Sequence, residues 1–196
     1  MRKTGFFVEI CCVFAIGCSF GWALEVLFRR FFSGNNKERR WINPGYLWGP
    51  WLPVYGFGLL ALYLLSSLKA YLPFDGALGV ITLIIIMTLS VTALELIAGF
   101  ISEKILKASL WDYSGEWGNF RGWICPRFAA FWGLICAAYL LFVHKYLISG
   151  IDWVRSHALS SIFVGIYMGM LISDASGLDF RKDHDEKRSY RSKAAE

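Results

Sequence analysis

The sequence predicts an all-α protein, a polytopic membrane helical bundle with about five transmembrane helices. Of its 196 residues, 56% are hydrophobic and only 18% are charged. A soluble domain normally carries about 25% charged residues, whereas a surface that faces lipid does not need them. The apolar residues form five long runs that lack the alternation of barrel strands, and each run can cross a hydrocarbon core of about 30 Å as a helix.

The five apolar runs give the predicted spans in chain order. They cover residues 6–28, 46–68, 77–101, 126–148 and 157–176. Residues 1–177 are therefore interpreted as the transmembrane helical bundle. Residues 178–196 mix both charge signs and contain few apolar side chains, so they are predicted to form a charged, disordered cytoplasmic tail.

Lysine and arginine are divided unequally between the two sides of this topology. One side carries five of these residues and the other carries fifteen. Because basic residues collect on the cytoplasmic side, the N-terminus is predicted to lie outside and the C-terminus in the cytoplasm, in a cell (inner) membrane. The net charge of +5 thus reflects topology and contact with the lipid bilayer, and no nucleic acid is predicted as a partner.

The five cysteines have no zinc-site spacing, so no metal is predicted.

The segment that leads into the second span is the first unusual motif. Residues 43–56 read Asn-Pro-Gly-Tyr-Leu-Trp-Gly-Pro-Trp-Leu-Pro-Val-Tyr-Gly, with three prolines and three glycines. Irregular backbone at membrane depth survives only when it is buried in protein or lines a wet cavity, which predicts a cavity wall or a re-entrant turn. For the aromatic residues Trp48, Trp51 and Tyr55, anchoring at the membrane interface is the favoured interpretation.

The connection between the third and fourth spans, residues 103–127, is the second unusual motif. It contains Trp111-Asp112-Tyr-Ser and Asn119-Phe-Arg-Gly, and it is too aromatic for a solvated linker. It is predicted to be a re-entrant or interfacial cytoplasmic loop. Arg121 and Arg127 lie near the positive N-terminal end of the fourth helix, where an anion site can form. Contact of both arginines with lipid phosphates is the favoured interpretation.

Three carboxylates lie inside the spans near their predicted cytoplasmic ends. Ionisable residues in spans are expensive and usually face the bundle interior. Glu25 can pair with Arg29 at i,i+4, and Asp174 can cap the end of its helix. Glu95 has no local basic partner, so both a ligand or proton role and a structural hydrogen bond between helices stay open for it.

Several motifs occur in a specific order over residues 20–132. They are Gly21-Trp-Ala-Leu-Glu25, the segment 43–56, Glu95, Trp111-Asp-Tyr-Ser114, Asn119-x-x-Gly122 and Ile124-Cys125. On these motifs the chain resembles the CmpB-like family, described as putative ABC-transporter type IV. The resemblance implies a multi-spanning, mostly bacterial membrane protein with a permease label. Members usually carry an arginine at the position of Pro44 and lack the proline found here at Pro126.

These observations predict a transporter or transport subunit with a cytoplasm-facing polar pocket that takes a small polar or ionic ligand. The predicted ligand-binding residues are Glu25, Glu95, Asp174, Asn43, Tyr55, Trp111, Asp112, Asn119, Arg121 and Arg127. No internal repeat is visible, so a symmetric pore needs a homodimer or a partner membrane subunit. The alternatives are a membrane-embedded enzyme or lipid-head-group binder that uses carboxylates and arginines, and a non-catalytic partner subunit. No catalytic motif is present, and no cofactor is indicated.

Overall fold

Five helices in the computed structural model are long and apolar enough to cross a membrane, which confirms the predicted fold class. The structure describes residues 2–33, 36–105, 107 and 109–177, so the predicted tail at 178–196 lies outside the described residues. The candidate spans are Gly5–Phe31, Pro53–Tyr71, Gly76–Lys104, Pro126–Ser156 and Leu159–Ser176.

The helices follow one another with short connections, apart from the two unusual motifs. They are α1 (Arg2–Phe31), α2 (Pro53–Ser66), α3 (Gly76–Lys104), α4 (Pro126–Ala138), α5 (His144–Ser156) and α6 (Ala158–Ser176). A 3₁₀ turn, Ser67–Tyr71, extends α2, and a π-helical turn, Tyr139–Val143, joins α4 to α5. The fourth span therefore continues to Ser156, eight residues beyond its predicted end.

The second span begins at Pro53, whereas the sequence placed its start at residue 46, so this boundary was wrong. Proline suits the first turn of a helix because the amide hydrogen that it lacks has no helical partner there. Residues 46–52 instead form an irregular segment that packs into the bundle, with Trp51 and Leu52 buried. The Leu52 amide donates a hydrogen bond of 3.0 Å to the carbonyl of Cys18 in α1.

Helix α1 packs against three other helices of the bundle. It packs against α2, α5 and α6, while α3 packs against α2 and α4. Glycine allows the closest of these approaches, because a Cβ on Gly21 would lie 2.2 Å from the ring of Tyr55 and one on Gly17 would lie 2.7 Å from the Tyr55 carbonyl oxygen. The small residues of α1 thus seat the first turn of α2 directly on its surface.

The larger buried core lies between α2, α3 and α4. We call it the apolar core, and its buried members are Leu62, Leu83, Met87, Val91, Cys136 and Tyr139. On α3 the buried residues repeat every four positions, from Gly79 through Leu83, Met87 and Val91 to Glu95. Glu95 is therefore the next residue of an apolar stripe, and the fold directs its carboxylate into the bundle.

Candidate functional site

Glu95 is the most deeply enclosed carboxylate of the described chain. Only 5% of the residue is exposed. The hydroxyl of Tyr113 donates to its Oε1 at 3.0 Å, and the indole Nε1 of Trp132 donates to its Oε2 at 3.0 Å. Within the described ranges, no lysine, arginine or histidine forms an ion pair with it. Two neutral donors compensate only part of the free-energy cost of removing a charged carboxylate from water. Most of that cost therefore remains when Glu95 is ionised.

Tyr113 reaches Glu95 because the loop after α3 folds back against α3 and α4. Its ring stacks on Phe128 with centroids 4.2 Å apart, and its amide donates 2.9 Å to the carbonyl of Gly122. Burial, together with the nearby charge of Glu95, raises the pKa of the Tyr113 phenol. The phenol therefore stays protonated at neutral pH and remains a hydrogen-bond donor.

Three of the predicted ligand-binding residues hold this loop in shape. Trp111 donates through Nε1 to the carbonyl of Trp123 at 2.8 Å, and Asp112 accepts the Ser114 amide at 2.8 Å. That amide and the Ser114 hydroxyl hold the pKa of Asp112 below its usual range.

Asn119 is the third of these residues. It donates to the carbonyls of Ser114 at 3.0 Å and Glu116 at 2.8 Å, and its side-chain oxygen accepts the amide of Gly122 at 3.1 Å. All of its amide hydrogen bonds stay within the loop. Trp111, Asp112 and Asn119 therefore position Tyr113 and do not themselves contact Glu95.

Glu25 forms the predicted ion pair with Arg29, with 2.9 Å between Nε and Oε1. Its second oxygen accepts a hydrogen bond of 3.2 Å from the hydroxyl of Tyr55. The Tyr55 phenol lies within electrostatic range of both Glu25 and Glu95. Two of the three predicted carboxylates thus lie near one tyrosine: Glu25 is hydrogen-bonded to it, and Glu95 is close enough for its charge to act on it. We call the set Glu25, Tyr55, Glu95, Tyr113 and Trp132 the carboxylate cluster.

Asp174 lies in a separate contact. Its Oδ2 accepts hydrogen bonds from the amides of Trp48 at 2.8 Å and Gly49 at 3.0 Å, and from Nε1 of Trp51 at 2.9 Å. It therefore fastens the irregular segment 46–52 to α6. An open groove of about 570 Å³ beside it is lined by Trp48, Gly49, Trp51, Gly169, Met170, Ser173 and Asp174. Neither Glu25 nor Glu95 lines this groove.

Asn43 organises the turn that enters the same segment. Its Oδ1 accepts Nε1 of Trp22 at 2.6 Å, and its Nδ2 donates to the carbonyls of Leu47 at 3.1 Å and Trp48 at 2.9 Å. These bonds occupy both ends of the amide, so Asn43 shapes the backbone that leads to Tyr55.

The two arginines of the predicted anion site lie on the surface. Nη1 of Arg127 forms an ion pair of 2.8 Å with Oε1 of Glu116. The guanidinium of Arg121 lies 5.6 Å from the ring centroid of Trp123. Both basic side chains are exposed, and neither contacts the carboxylate cluster.

Sequence reasoning did not identify Tyr113 and Trp132 as the partners of Glu95. A buried indole N–H requires an acceptor, which is a signal for Trp132 once the face of its helix is known. Tyr113 is the neighbour of Asp112 in the Trp-Asp-Tyr-Ser motif, so the motif itself contained the missing donor. The hydrogen bonds of Tyr113 and Trp132 to Glu95 depend on how the loop folds back against the helices. No local sequence pattern predicts this fold of the loop.

Five apolar helices of spanning length define a multi-pass membrane protein whose helices contact the lipid bilayer, and the bundle encloses the carboxylate of Glu95. The chain belongs to the family described as "Putative ABC-transporter type IV", whose model matches residues 12–176. This match confirms the resemblance drawn from the motifs and places the protein among membrane transport-related proteins. No curated protein and no solved structure matches the chain.

Proposed function

We propose that this protein is a membrane transporter or transport subunit whose carboxylate cluster binds a proton or a small cation. The observation that carries the proposal is the environment of Glu95, which is 5% exposed and has two neutral donors in place of a cation. A charge in this setting is costly, and ionisable residues within spans commonly mark ion pathways and proton relays.

The hydrogen bonds of Glu95 leave capacity for a ligand. A carboxylate offers about four lone-pair sites, and Tyr113 and Trp132 use one on each oxygen. Binding of a proton or a cation removes the uncompensated charge, so it is favoured by the same burial that disfavours the empty ionised state. Tyr55 is hydrogen-bonded to Glu25 and lies within electrostatic range of Glu95, which supports one shared polar site rather than two isolated ones.

The cluster is proposed to open toward the cytoplasm. Arg29 and Lys104 lie at the same end of the bundle as both motifs, and this end carries the larger share of lysine and arginine. The same rule supports a cell-membrane location with the N-terminus outside. The name of the family supports assembly with further subunits, and we propose either a second copy of the chain or a partner membrane subunit.

The test is ion flux into liposomes that contain the full chain, measured separately for protons, sodium and potassium. Glu95→Gln keeps the size and the hydrogen-bonding capacity of the side chain but removes its charge. We expect this variant to reduce the flux of one of the three ions at least tenfold. Glu38→Gln is the matched control, because Glu38 is an exposed carboxylate in the connection between α1 and α2 that pairs with Arg40.

The expected result is a flux that Glu95→Gln removes and that Glu38→Gln leaves within twofold of wild type. A wild-type flux that is equal in both variants overturns the assignment to Glu95. The absence of wild-type flux for all three ions overturns the proposal that this chain carries an ion by itself.

A further inference from the structure

A second polar cluster lies at the opposite end of the bundle, away from both motifs. It joins α1, α2, the π-helical turn and α5. We call it the far cluster, and its members are Glu9, Tyr63, Tyr139, His144 and Arg155. None of these residues is used by the site described above.

Glu9 is the acidic member of the far cluster. The hydroxyl of Tyr63 donates a hydrogen bond to its Oε1, and Nη1 of Arg155 lies 3.3 Å from its Oε2. Only 13% of the Glu9 side chain is exposed. Glu9 is thus a nearly enclosed carboxylate with access to one basic partner, four residues inside the start of its span.

His144 is the second titratable member. Its Nδ1 lies 2.8 Å from the hydroxyl of Tyr139, and its ring centroid lies 6.2 Å from that of Tyr63. Residues five apart in an ordinary α-helix point about 140° away from each other. The π-helical turn Tyr139–Val143 widens the helix at this point and brings the two rings within 5.4 Å. Such turns are frequent at functional sites, and here the turn creates the contact.

The apolar core separates the far cluster from Glu95. Trp132, which donates to Glu95, and Tyr139, which contacts His144, are seven residues apart on one continuous span, or about 10 Å along its axis. Cys136 lies between them and is fully buried. The side-chain oxygen of Thr92 is buried without a hydrogen-bond partner among the described residues, so an unsatisfied polar atom lies about one turn of α3 before Glu95.

Resting on the proposed function, we propose that the far cluster is a second proton-binding site on the same route, and that the transported or coupling ion is therefore a proton. A proton from the far side binds to His144 or Glu9. In the transfer the N–H bond of the His144 imidazolium, or the O–H bond of the Glu9 carboxylic acid, breaks and an O–H bond forms on the Glu95 carboxylate. The donor returns to its unprotonated form, and Glu95 becomes neutral. The closed apolar core means that this transfer requires the helices around Cys136 to separate.

Other charged and titratable groups surround Glu9 and His144 and influence proton binding there. Those that face Glu9 and His144 from the packed elements are Tyr63 on α2, Tyr139 on the π-helical turn, and Asp152 and Arg155 on α5. Arg155 is shared between Glu9 and Asp152, with 3.3 Å to the first carboxylate and 3.9 Å to the second. When Glu9 binds a proton and becomes neutral, Arg155 still has Asp152 as a partner. Proton uptake on Glu9 therefore does not leave the guanidinium without a carboxylate.

The test is proton flux in liposomes that contain the full chain and a trapped pH-sensitive dye, with potassium and valinomycin fixing the membrane potential. Tyr63→Phe removes the hydroxyl that contacts Glu9, and His144→Asn keeps a hydrogen-bonding side chain that cannot titrate at neutral pH. We expect each variant to reduce the initial proton flux at least tenfold. Tyr146→Phe is the control, because Tyr146 is exposed on α5 and its ring lies beside Lys145.

The outcomes separate this inference from the proposed function. Proton flux that Glu95→Gln removes but that Tyr63→Phe and His144→Asn both leave unchanged overturns the far cluster and retains Glu95. A flux of sodium or potassium that depends on Glu95, without proton flux, also overturns this inference alone. The inference is supported if Tyr63→Phe and His144→Asn both reduce the proton flux and both elute from a sizing column as the wild type does. A folding defect would appear in the elution profile.

Discussion

The hydroxyl of Tyr113 donates a hydrogen bond of 3.0 Å to Oε1 of Glu95, a residue 18 positions earlier in the chain. The bond joins the loop between α3 and α4 to the interior of the third span. Since Trp132 on α4 supplies the other donor, one carboxylate holds together two helices and a loop. Protonation of Glu95, or binding of a ligand to it, is thereby linked to the position of the loop.

We expect Tyr113→Phe to lower the free energy of unfolding by about 1–3 kcal/mol, because it leaves one oxygen of a buried carboxylate without its donor. The ring that stacks on Phe128 is retained, so the change isolates the hydroxyl. The measurement is denaturant unfolding in detergent, followed by tryptophan fluorescence. Tyr146→Phe removes an exposed hydroxyl and is expected to change the stability by less than about 0.5 kcal/mol.

A double-mutant cycle assigns the effect to the pair. In a Glu95→Leu background the Tyr113 hydroxyl has lost its acceptor, so Tyr113→Phe should cost much less than in the wild type. Equal costs in both backgrounds would show that the hydroxyl acts through some other contact.

A second prediction concerns Asp174, whose Oδ2 accepts three hydrogen bonds from Trp48, Gly49 and Trp51. Asp174→Ala should release segment 46–52 from α6, with a loss of about 1.5–3 kcal/mol, because hydrogen bonds to a charged group are among the stronger ones. Hydrogen exchange at the amides of Trp48 and Gly49 should accelerate, and Asp174→Asn should restore part of the protection. Asp152→Ala, which removes an exposed carboxylate on α5, should leave these amides unchanged.

The third prediction is a pH dependence of the loop. Because the Ser114 amide lowers the pKa of Asp112, this contact stabilises the loop above the usual aspartate pKa of about 3.9 and is lost as the pH falls through the lower folded value. The Ser114 amide resonance should therefore be constant from neutral pH to about pH 4 and move only below that. In Asp112→Asn this acid transition should disappear; a transition that persists would belong to another group.

Composition and the lengths of the apolar runs were sufficient to predict the five spans, because lipid requires long helices of a nearly fixed length. The ion pair of Glu25 with Arg29 was also predictable, since residues four apart share one face of a helix. The start of α2 was misplaced by seven residues because hydropathy does not distinguish an apolar helix from an apolar irregular segment. Pro53 marked the true boundary, but Pro50 was an equally good local candidate.

The partners of the carboxylates were beyond local reasoning. Asp174 contacts residues 123 to 126 positions away, and Glu95 contacts Trp132 across 37 positions. Such pairs depend on which helices pack against each other. An apolar stripe shows that one face of a membrane helix is buried, but it does not predict which helix packs against that face. Asn43, Asp112 and Asn119, which were predicted to bind a ligand, also form hydrogen bonds to backbone groups of irregular segments. These backbone groups have no partner within a helix, so they need side-chain partners.

A fourth prediction tests the close approach of α1 and α2. Gly21→Ala should destabilise the protein by about 1–3 kcal/mol, because the new Cβ would lie 2.2 Å from the Tyr55 ring and would force it away from Glu25. Gly165→Ala is the matched control, since nothing lies within 4 Å of a Cβ at that position of α6. Thermal unfolding of both variants in the same detergent gives the comparison. If the two lose equal stability, close packing at Gly21 is not the cause.

The last prediction fixes the orientation of the bundle. Tyr71 lies in the connection between α2 and α3 and Trp117 in the loop between α3 and α4, with 82% and 86% of the two residues exposed. The five native cysteines are all buried, so their reaction with a polar maleimide should be slow. In intact cells we expect Tyr71→Cys to react with a membrane-impermeant maleimide and Trp117→Cys to react only after permeabilisation. The reverse pattern would place the motif-bearing end outside, and the carboxylate cluster would then open away from the cytoplasm.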